Sequence, residues 1–320
     1  MNLNLIEKKL ANNDLLTRAD AVELLKISNQ SDDFYRLISI ANALSRKEYG
    51  NKGYIFAQIG LNAEPCSGGC RFCSLAKDNF SVEYPYRLTV DEAVKAGLDI
   101  CSRDISDLFL MTTADYPFEH LINIGAKLRK SVGNSIRLVA NIGDFTFEQA
   151  TQLKQAGFNA AYHIHRLNEG MDTDISPDRR IDTLNNIHKA GLELYYCVEP
   201  IGPEHSYESL ADEMLRAREY GVNVMAAMRR IPVPGTAMKK RGTISLLELT
   251  KIVAVTRLVT RPKRSMNVHE PTEMALLAGV NQLYAEYGAN PRDTLAQTNK
   301  GRGFSIQRVK CMLENADYIV

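Results

Sequence analysis

The sequence lacks a charge excess, a long apolar run and any tryptophan. Its 320 residues include 39 Lys and Arg against 38 Asp and Glu, a net charge of +1, which gives no general attraction to nucleic acid or anionic lipid. No segment approaches the roughly 18 consecutive apolar residues of a membrane-spanning helix, and the N-terminal MNLNLIEKKLANND has no uninterrupted apolar core of a secretion signal. These absences predict a cytoplasmic protein that acts on a small molecule, with no nucleic acid or membrane as partner.

The composition is that of an ordinary globular chain, with 45% hydrophobic and 24% charged residues. Short apolar segments alternate with amphipathic helical segments, a pattern typical of parallel sheets built from β-α units. The length suits one α/β barrel with terminal additions, since such barrels run to roughly 250 residues. The eight candidate strands are residues 54–61, 107–113, 136–142, 160–165, 193–199, 222–231, 264–268 and 282–286.

The order of these segments predicts a (β/α)8 TIM-type barrel with an N-terminal helical extension and a C-terminal helix. Residues 1–50 would form the helical extension, in which Thr17 and Asp20 can make a capping box. Residues 51–290 would form the barrel, and residues 291–320 a tail and helix that pack on it. In such barrels the chemistry lies on the loops that follow the C-terminal ends of the strands, so residues in those positions are the candidates for function.

The first of these loops contains a cluster of cysteines. Six cysteines occur in a chain without a secretion signal, which favours metal binding or catalysis over disulfides. Cys66, Cys70 and Cys73 follow the first strand with the spacing C-x3-C-x2-C, and Gly68 and Gly69 allow the backbone to fold tightly around one metal centre. Three local thiolates leave a fourth position open, whereas a structural zinc site needs four ligands. A zinc site with a distant fourth ligand and three buried thiols are the alternatives.

The cysteine motif, the aromatic Phe72 before its last cysteine and its place after the first barrel strand resemble the radical S-adenosylmethionine (SAM) superfamily. The resemblance implies a [4Fe-4S] cluster on Cys66, Cys70 and Cys73, with SAM chelating the fourth iron. It further implies that the reduced cluster cleaves SAM to a 5′-deoxyadenosyl radical, which takes hydrogen from a substrate. We expect no catalytic side chain beyond the cofactor ligands, and anaerobic chemistry shielded by the barrel.

Most of the chain is similar to the biotin synthase group, notably in YRLTVDEAVKAG, RRIDTLNNIHKAGLELYYCVEPIG, IPVPGTAM and TNKGRGFS. The resemblance implies that Arg180 contacts SAM, where a charge-assisted bond to the SAM carboxylate is chemically sensible. It also implies that Cys197 ligates a second, sulfur-donating cluster. The pattern departs from that group at Leu110 and Val139, which stand where ligand cysteines are expected, and the arginine ligand of strand seven is missing. His269 occupies that neighbourhood, so the resemblance favours an atypical auxiliary iron-sulfur cluster on Cys197 and His269.

Other polar residues near strand ends are candidates for contacts with SAM or substrate. The cofactor contacts expected besides Arg180 are Glu199, Thr112, Thr113 and Asn141, with Asp115 as a further candidate. Substrate contacts are expected from His163, His165 and Arg230. His163 and His165 alternate along strand four, so both should face the interior if one does. Of the two adjacent arginines Arg229 and Arg230, one should point outward, and Cys101 and Cys311 are expected to be structural.

The resemblance predicts sulfur insertion into dethiobiotin to form biotin, with electrons from a reductant such as flavodoxin or ferredoxin and with a homodimer as the assembly. The alternative is a single-cluster radical SAM relative, such as a methylornithine synthase-like mutase or a hydrogenase-maturase-like enzyme. A non-enzymatic iron-sulfur scaffold is a third hypothesis.

Overall fold

The computed structural model describes residues 3–290, 293–300 and 302–320. Pro291, Arg292 and Gly301, which fall in the predicted C-terminal segment, lie outside the described residues. Within the described ranges, no helix is long and apolar enough to cross a membrane.

Eight parallel strands close into a barrel in which each strand pairs with its neighbours in chain order and the last strand pairs with the first. The strands are β1 (Tyr54–Gly60), β2 (Asp107–Met111), β3 (Arg137–Asn141), β4 (Ala160–Tyr162), β5 (Glu193–Ile201), β6 (Val224–Arg229), β7 (Ser265–Val268) and β8 (Gln282–Tyr287). All eight predicted strands are therefore confirmed. The main difference is β4, which ends at Tyr162 rather than at residue 165.

Helices cover the outside of the barrel, and several of them begin with side-chain caps that the sequence encodes. Thr17 and Asp20 form the predicted capping box, and Thr89 with Glu92 forms another. Gly191, at φ 67°, ends the seventh helix in the left-handed conformation. The helices are α1 (Leu3–Ala11), α2 (Arg18–Leu25), α3 (Asp32–Tyr49), α4 (Val90–Cys101), α5 (Phe118–Val132), α6 (Phe147–Gln155), α7 (Pro177–Ala190), α8 (Tyr207–Glu219), α9 (Leu246–Thr260), α10 (Glu273–Leu277) and α11 (Ile306–Asn315).

The N-terminal helices pack on one side of the barrel, against α8 and α9. Helix α9 is buried on all faces from residue 249 to residue 260 because α2 and α3 cover the side that faces away from β6. Even Arg257 is fully buried, where its Nε donates to Ser45 Oγ at 2.7 Å and its Nη2 pairs with Glu48. The helical extension thus completes the shell around α9.

The two ends of the barrel interior differ. At the N-terminal end, a polar network around the buried Asp107 closes the lumen: its carboxylate accepts hydrogen bonds from Tyr195 Oη at 2.6 Å, Arg264 Nη1 at 2.9 Å and Gln282 Nε2 at 2.8 Å. At the C-terminal end, the loops leave a cavity that opens to solvent, with about 1170 Å³ of empty space when the open mouth is included. This is the end at which barrel enzymes hold their substrates.

Candidate active site

The cysteine loop leaves β1 and brings two of its three thiols beside Gly68. A Cβ atom added at Gly68 would lie in van der Waals contact with both sulfurs, 3.5 Å from Cys66 Sγ and 3.8 Å from Cys70 Sγ. Backbone amides point at the sulfurs: Ala114 N donates to Cys66 Sγ at 3.4 Å and Leu75 N to Cys73 Sγ at 3.3 Å. Such amide donors stabilise the negative charge of cluster-bound thiolates.

Two acidic residues hold this loop in place. Asp115 accepts hydrogen bonds from the backbone N of Ser67 at 2.6 Å and from its Oγ at 2.5 Å. Asp115 therefore anchors the loop, whereas the sequence suggested a contact with SAM or substrate. Gly69 has φ 58°, and a Cβ atom there would overlap the Asp174 carboxylate, so glycine is required at this position.

Burial raises the pKa of two of the three cysteines, Cys70 and Cys73. It raises the pKa of Cys70 to about 11, although the nearby Arg166 acts in the opposite direction. Burial raises the pKa of Cys73 further, with help from the charge of Cys70. Buried thiols of this kind ionise when a metal takes the place of the proton. The three converging sulfurs, the amide donors and the glycine cradle fit a three-cysteine iron-sulfur cluster.

One cavity connects the cysteine loop with the strand ends on the far side of the barrel. Among its walls are all three cysteines and most of the residues that the sequence assigned to cofactor or substrate. Aromatic rings of Phe109, Tyr162 and Tyr284 form its floor and keep it largely apolar. The predicted site residues that line the cavity are Thr112, Thr113, Asn141, His163, Arg180, Glu199, Arg230 and His269.

Thr112 and Thr113 shape the wall beside the cysteines. Thr113 exchanges hydrogen bonds of 2.9 Å with the buried Asn62, which connects the ends of β1 and β2. Thr112 Oγ1 donates to the carbonyl oxygen of Asn141 at 3.1 Å, which ties β2 to β3. These strand-end residues therefore border the space next to the cluster site.

A charged network surrounds the cavity near Cys70. Arg180, in the first turns of α7, is 5% exposed, so it is not a surface charge. Its Nη1 donates to Asp144 Oδ1 at 3.2 Å, and its Nε lies 3.4 Å from Glu169 Oε2. His163 Nε2 lies 3.3 Å from the same Asp144 oxygen.

This network fixes the charges of its members. Burial lowers the pKa of His163 to about 4, although Asp144 opposes the shift, so the imidazole is neutral at pH 7. Burial by itself would raise the pKa of Asp144, but His163 and Arg180 outweigh it and hold that pKa well below its usual range. Asp144 is thus a permanent carboxylate that orients Arg180.

Arg166 is a site residue that the sequence reasoning missed. It follows β4 in the segment HRLNEG and lines the cavity, with Nε 3.7 Å from Glu199 Oε1 and Nη1 3.6 Å from Glu169 Oε2. Among the residues that the structure describes, these two nitrogens find no hydrogen-bond partner, and neither does Nε of Arg180. Buried donors of this kind are costly unless a ligand uses them. The signal in the sequence was an arginine just beyond a strand end.

A second group of metal-binding side chains lies across the cavity from the cysteine loop. Cys197, Glu199 and His269 are all buried, and one ligand atom from each lies within 4.8 Å of the others. Cys197 and Glu199 share one face of β5, and His269 follows β7 directly. Glu199 therefore belongs with Cys197 and His269 in the structure, although the sequence assigned it to SAM.

Two sequence-based assignments are wrong. His165 does not reach the cavity: because β4 ends at Tyr162, the alternation stops, and His165 Nδ1 lies 2.8 Å from Glu213 Oε1 on α8, outside the barrel. Leu110 points outward, since its neighbours Phe109 and Met111 line the cavity. The inward positions of β2 are held by Phe109 and Met111, and neither is a cysteine. On this strand the departure from the biotin synthase pattern therefore lies at Phe109 and Met111 rather than at Leu110.

Two further residues named in the sequence analysis face the barrel interior. Val139 faces inward, as expected from its alternation with the cavity-lining Asn141. Arg230 lines the cavity, but both its terminal nitrogens pair with Glu204, so Nε is the donor it has left.

Three further residues named in the sequence analysis lie away from the cavity. Arg229 turns away from the cavity and pairs with Glu270 at 2.6 Å, which confirms that one of the two adjacent arginines points outward. Cys101 and Cys311 lie on helices away from the cavity, so Cys197 is the one cysteine besides the triad, among the described residues, that faces the barrel interior.

The sequence is similar to proteins of known activity. It is 30% identical to the biotin synthase of Acetivibrio thermocellus over 268 residues. The matched residues cover 80% of this chain and 81% of that protein. It is 24% identical over 294 residues to the biotin synthase of Carboxydothermus hydrogenoformans, covering 86% and 89% of the two chains. No protein-family model matches the chain.

Solved structures confirm the fold. Methylornithine synthase superposes with a TM-score of 0.83 at 19% identity, over 98% of this chain and 96% of that one. An [FeFe]-hydrogenase maturase from Carboxydothermus hydrogenoformans superposes with a TM-score of 0.81 at 18% identity, over 98% and 78%. With the converging cysteines and the barrel in place, the 30% identity to a biotin synthase over most of both chains decides the family. The chain belongs to the biotin synthase family of radical SAM enzymes, and this membership implies a [4Fe-4S] cluster and SAM.

Proposed function

We propose that this protein inserts sulfur into dethiobiotin to form biotin, with a SAM-binding cluster on Cys66, Cys70 and Cys73 and an auxiliary iron-sulfur cluster at Cys197 and His269 as the sulfur donor. The observation that carries the proposal is a single cavity that is lined both by the cysteine triad and by His269 and Glu199. A substrate between them would meet both centres. The relatives named biotin synthase support the choice of substrate.

When bound, the reduced cluster and SAM supply a 5′-deoxyadenosyl radical that abstracts hydrogen from the substrate. The protein's own residues bind SAM and the substrate and shield both from water. Arg180, oriented by Asp144, and Arg166 offer unpaired N–H groups at the cysteine end of the cavity, where they bind the carboxylate of SAM. Thr112, Thr113 and Asn141 border the same space and contact the rest of the cofactor.

The substrate occupies the apolar part of the cavity. The rings of Phe109, Tyr162 and Tyr284 exclude water from it and pack against an aliphatic chain. Neutral His163 and the Nε of Arg230 provide polar contacts for the substrate at its edges. A flavodoxin or ferredoxin reduces the cluster, the protein works in the anaerobic cytoplasm, and two copies form a homodimer.

The test is anaerobic reconstitution with iron and sulfide, followed by incubation with SAM, dithionite and dethiobiotin. We expect biotin and 5′-deoxyadenosine, and more iron per chain than one four-iron cluster holds. Cys197→Ala should retain the triad cluster and lose biotin formation. Wild-type protein with one cluster's worth of iron, unchanged in Cys197→Ala, would exclude the sulfur-donor role.

One observation favours a second candidate, a single-cluster radical SAM enzyme that rearranges or cleaves its substrate without adding sulfur. Among the described residues, Cys197 is the one thiol beyond the triad that faces the lumen, so a cluster with several cysteine ligands has no place there. This candidate predicts 5′-deoxyadenosine from SAM, no biotin, and an iron content that Cys197→Ala leaves unchanged.

A further inference from the structure

Cys197, Glu199 and His269 meet at one point of the barrel wall. We propose that these three side chains bind a single iron, so that Glu199 coordinates it directly, as Cys197 and His269 do. The inference rests on the proposed function in one respect, since this iron is the part of the auxiliary centre nearest the substrate. It adds a donor set of one thiolate, one carboxylate and one imidazole.

The spacing of the donor atoms suits one metal ion. The three atoms lie within 4.8 Å of one another, and His269 Nδ1 is 4.0 Å from Glu199 Oε2. A tetrahedral ion with bonds of about 2.0 to 2.3 Å needs ligand atoms roughly 3.5 Å apart. Small rotations of the side chains close that difference. Ligands on separate irons of a cluster point away from one another and must lie farther apart, so the group matches a shared ion better.

The burial of the group also calls for a cation. Cys197 is 0% exposed, Glu199 7% and His269 8%. Arg166 Nε forms a long ion pair of 3.7 Å with Glu199 Oε1, which compensates the carboxylate in part; a Cys197 thiolate beside it would need a further positive charge. A divalent iron would offset one carboxylate and one thiolate completely. Iron accepts sulfur, nitrogen and oxygen ligands together, whereas magnesium and calcium prefer oxygen.

Neighbouring groups hold the donors in position. Tyr162 Oη donates to Glu199 Oε2 at 3.0 Å, and the His269 ring stacks on Tyr284 with centroids 5.2 Å apart. Such partners orient ligands at metal sites. Because Glu199 and His269 line the cavity that the cysteine triad also lines, an iron held by these side chains would be accessible from that cavity. Protein ligands on one side and an open position on the other are typical of a catalytic metal site.

The experiment measures iron and acid-labile sulfide per full-length chain after anaerobic loading with ferrous iron and sulfide, with Mössbauer spectra to separate the triad cluster from other iron. The variants are Cys197→Ala, Glu199→Gln and His269→Gln. The controls are His165→Gln and Glu213→Gln, a paired imidazole and carboxylate outside the barrel. Glu199→Gln can still accept the hydrogen bond from Tyr162, so it tests ligation with little change to the fold.

We expect wild type and both controls to hold at least one iron beyond the four of the triad cluster. Each of the three variants should lose that iron and keep the triad cluster. Additional iron that persists in Glu199→Gln and His269→Gln, or wild-type protein that never holds it, would overturn the inference. Sulfide in proportion to the additional iron would assign that iron to the auxiliary cluster. Additional iron without sulfide would retain the three-ligand site and reject the sulfur-donor role of the proposed function, because a lone iron holds no sulfur to donate.

The same samples separate this inference from the proposed function. Iron that depends on the three ligands in a protein that forms no biotin would retain the site and reject sulfur insertion. Biotin formed by wild type, with the same iron content in Glu199→Gln, would retain sulfur insertion and reject Glu199 as a ligand.

Discussion

The two ends of the barrel interior differ in where their buried polar groups point. At the N-terminal end, the Asp107 carboxylate accepts hydrogen bonds from Tyr195, Arg264 and Gln282. At the C-terminal end, Arg166 and Arg180 line the cavity and have N–H groups that make ion-pair contacts with Glu169 and Glu199 but no hydrogen bond among the described residues. Arg137 Nε at the N-terminal end also lacks a hydrogen bond, but it does not line the cavity. A hydrogen-bonded carboxylate stabilises a fold, whereas buried donors in a cavity wall are placed to meet a ligand. The difference separates scaffold from site within one lumen.

The largest effect on activity is expected for Cys70→Ser, at the C-terminal end of the barrel interior where the cofactor would bind (the ligand end). Serine is a poor iron ligand, so the triad cluster and 5′-deoxyadenosine formation should fall at least about 1000-fold, which corresponds to about 4 kcal/mol. The free energy of unfolding of the metal-free chain should change by less than about 1 kcal/mol. Cluster absorbance, product assay and urea unfolding measure the three quantities. A metal-free variant that unfolds much more easily would show that Cys70 is also structural.

The matching change at the closed end is Asp107→Asn. It leaves Arg264 without its carboxylate, which should lower the free energy of unfolding by about 3 kcal/mol. SAM affinity should stay within about 2-fold, because the site lies at the other end of the barrel. Asp91→Asn is the control, since Asp91 pairs with Lys127 on the surface at 89% side-chain exposure. A stability loss no larger than in that control would contradict the assignment of Asp107 to the scaffold.

The network at the ligand end should make stability depend on pH. The folded protein holds the pKa of His163 at about 4 instead of 6.5, so below pH 6.5 the unfolded chain binds a proton that the folded chain does not. Stability should therefore be complete above pH 6.5 and decline as the pH falls towards 4, by about 2 kcal/mol from this group. Urea unfolding of wild type and His163→Gln at pH 7.5 and pH 4.5 measures the difference. Parallel pH dependence in both proteins would exclude His163 as its source.

A smaller effect is expected for Arg166→Lys, which keeps the charge and loses the guanidinium fork. SAM should bind about 10-fold more weakly, as measured by calorimetry on cluster-loaded protein, with little change in unfolding. Arg264→Lys at the closed end should give the reverse result, with reduced stability and unchanged SAM affinity. If Arg166→Lys and Arg264→Lys weakened SAM binding equally, the two ends of the barrel interior would not differ in function.

The smallest effect is expected outside both networks. Cys311 lies exposed on α11, so Cys311→Ser should leave iron content and product formation unchanged. Loss of iron in this variant would mean that a ligand of a metal centre had been overlooked.

The fold was predictable because hydrophobic periodicity and capping are local. The eight strands, the capping box at Thr17 and the cysteine loop after the first strand follow from patterns a few residues long. The different positions of His163 and His165 were not predictable. In a longer strand His165 would share a face with His163, but β4 ends before either of them. His165 instead contacts Glu213 on α8, outside the barrel.

The sequence by itself determined the chemistry of initiation: three cysteines at cluster spacing after the first strand of a β-α barrel, in a chain of biotin synthase type. Only the tertiary structure decided which charges share a site. Arg166 and Glu169 lie in the loop after β4, Asp144 lies in the loop after β3, and Glu199 meets His269 across β6, the strand between β5 and β7. These contacts depend on where strands end and how the barrel closes. Both are set by packing over the whole chain, which no local pattern encodes.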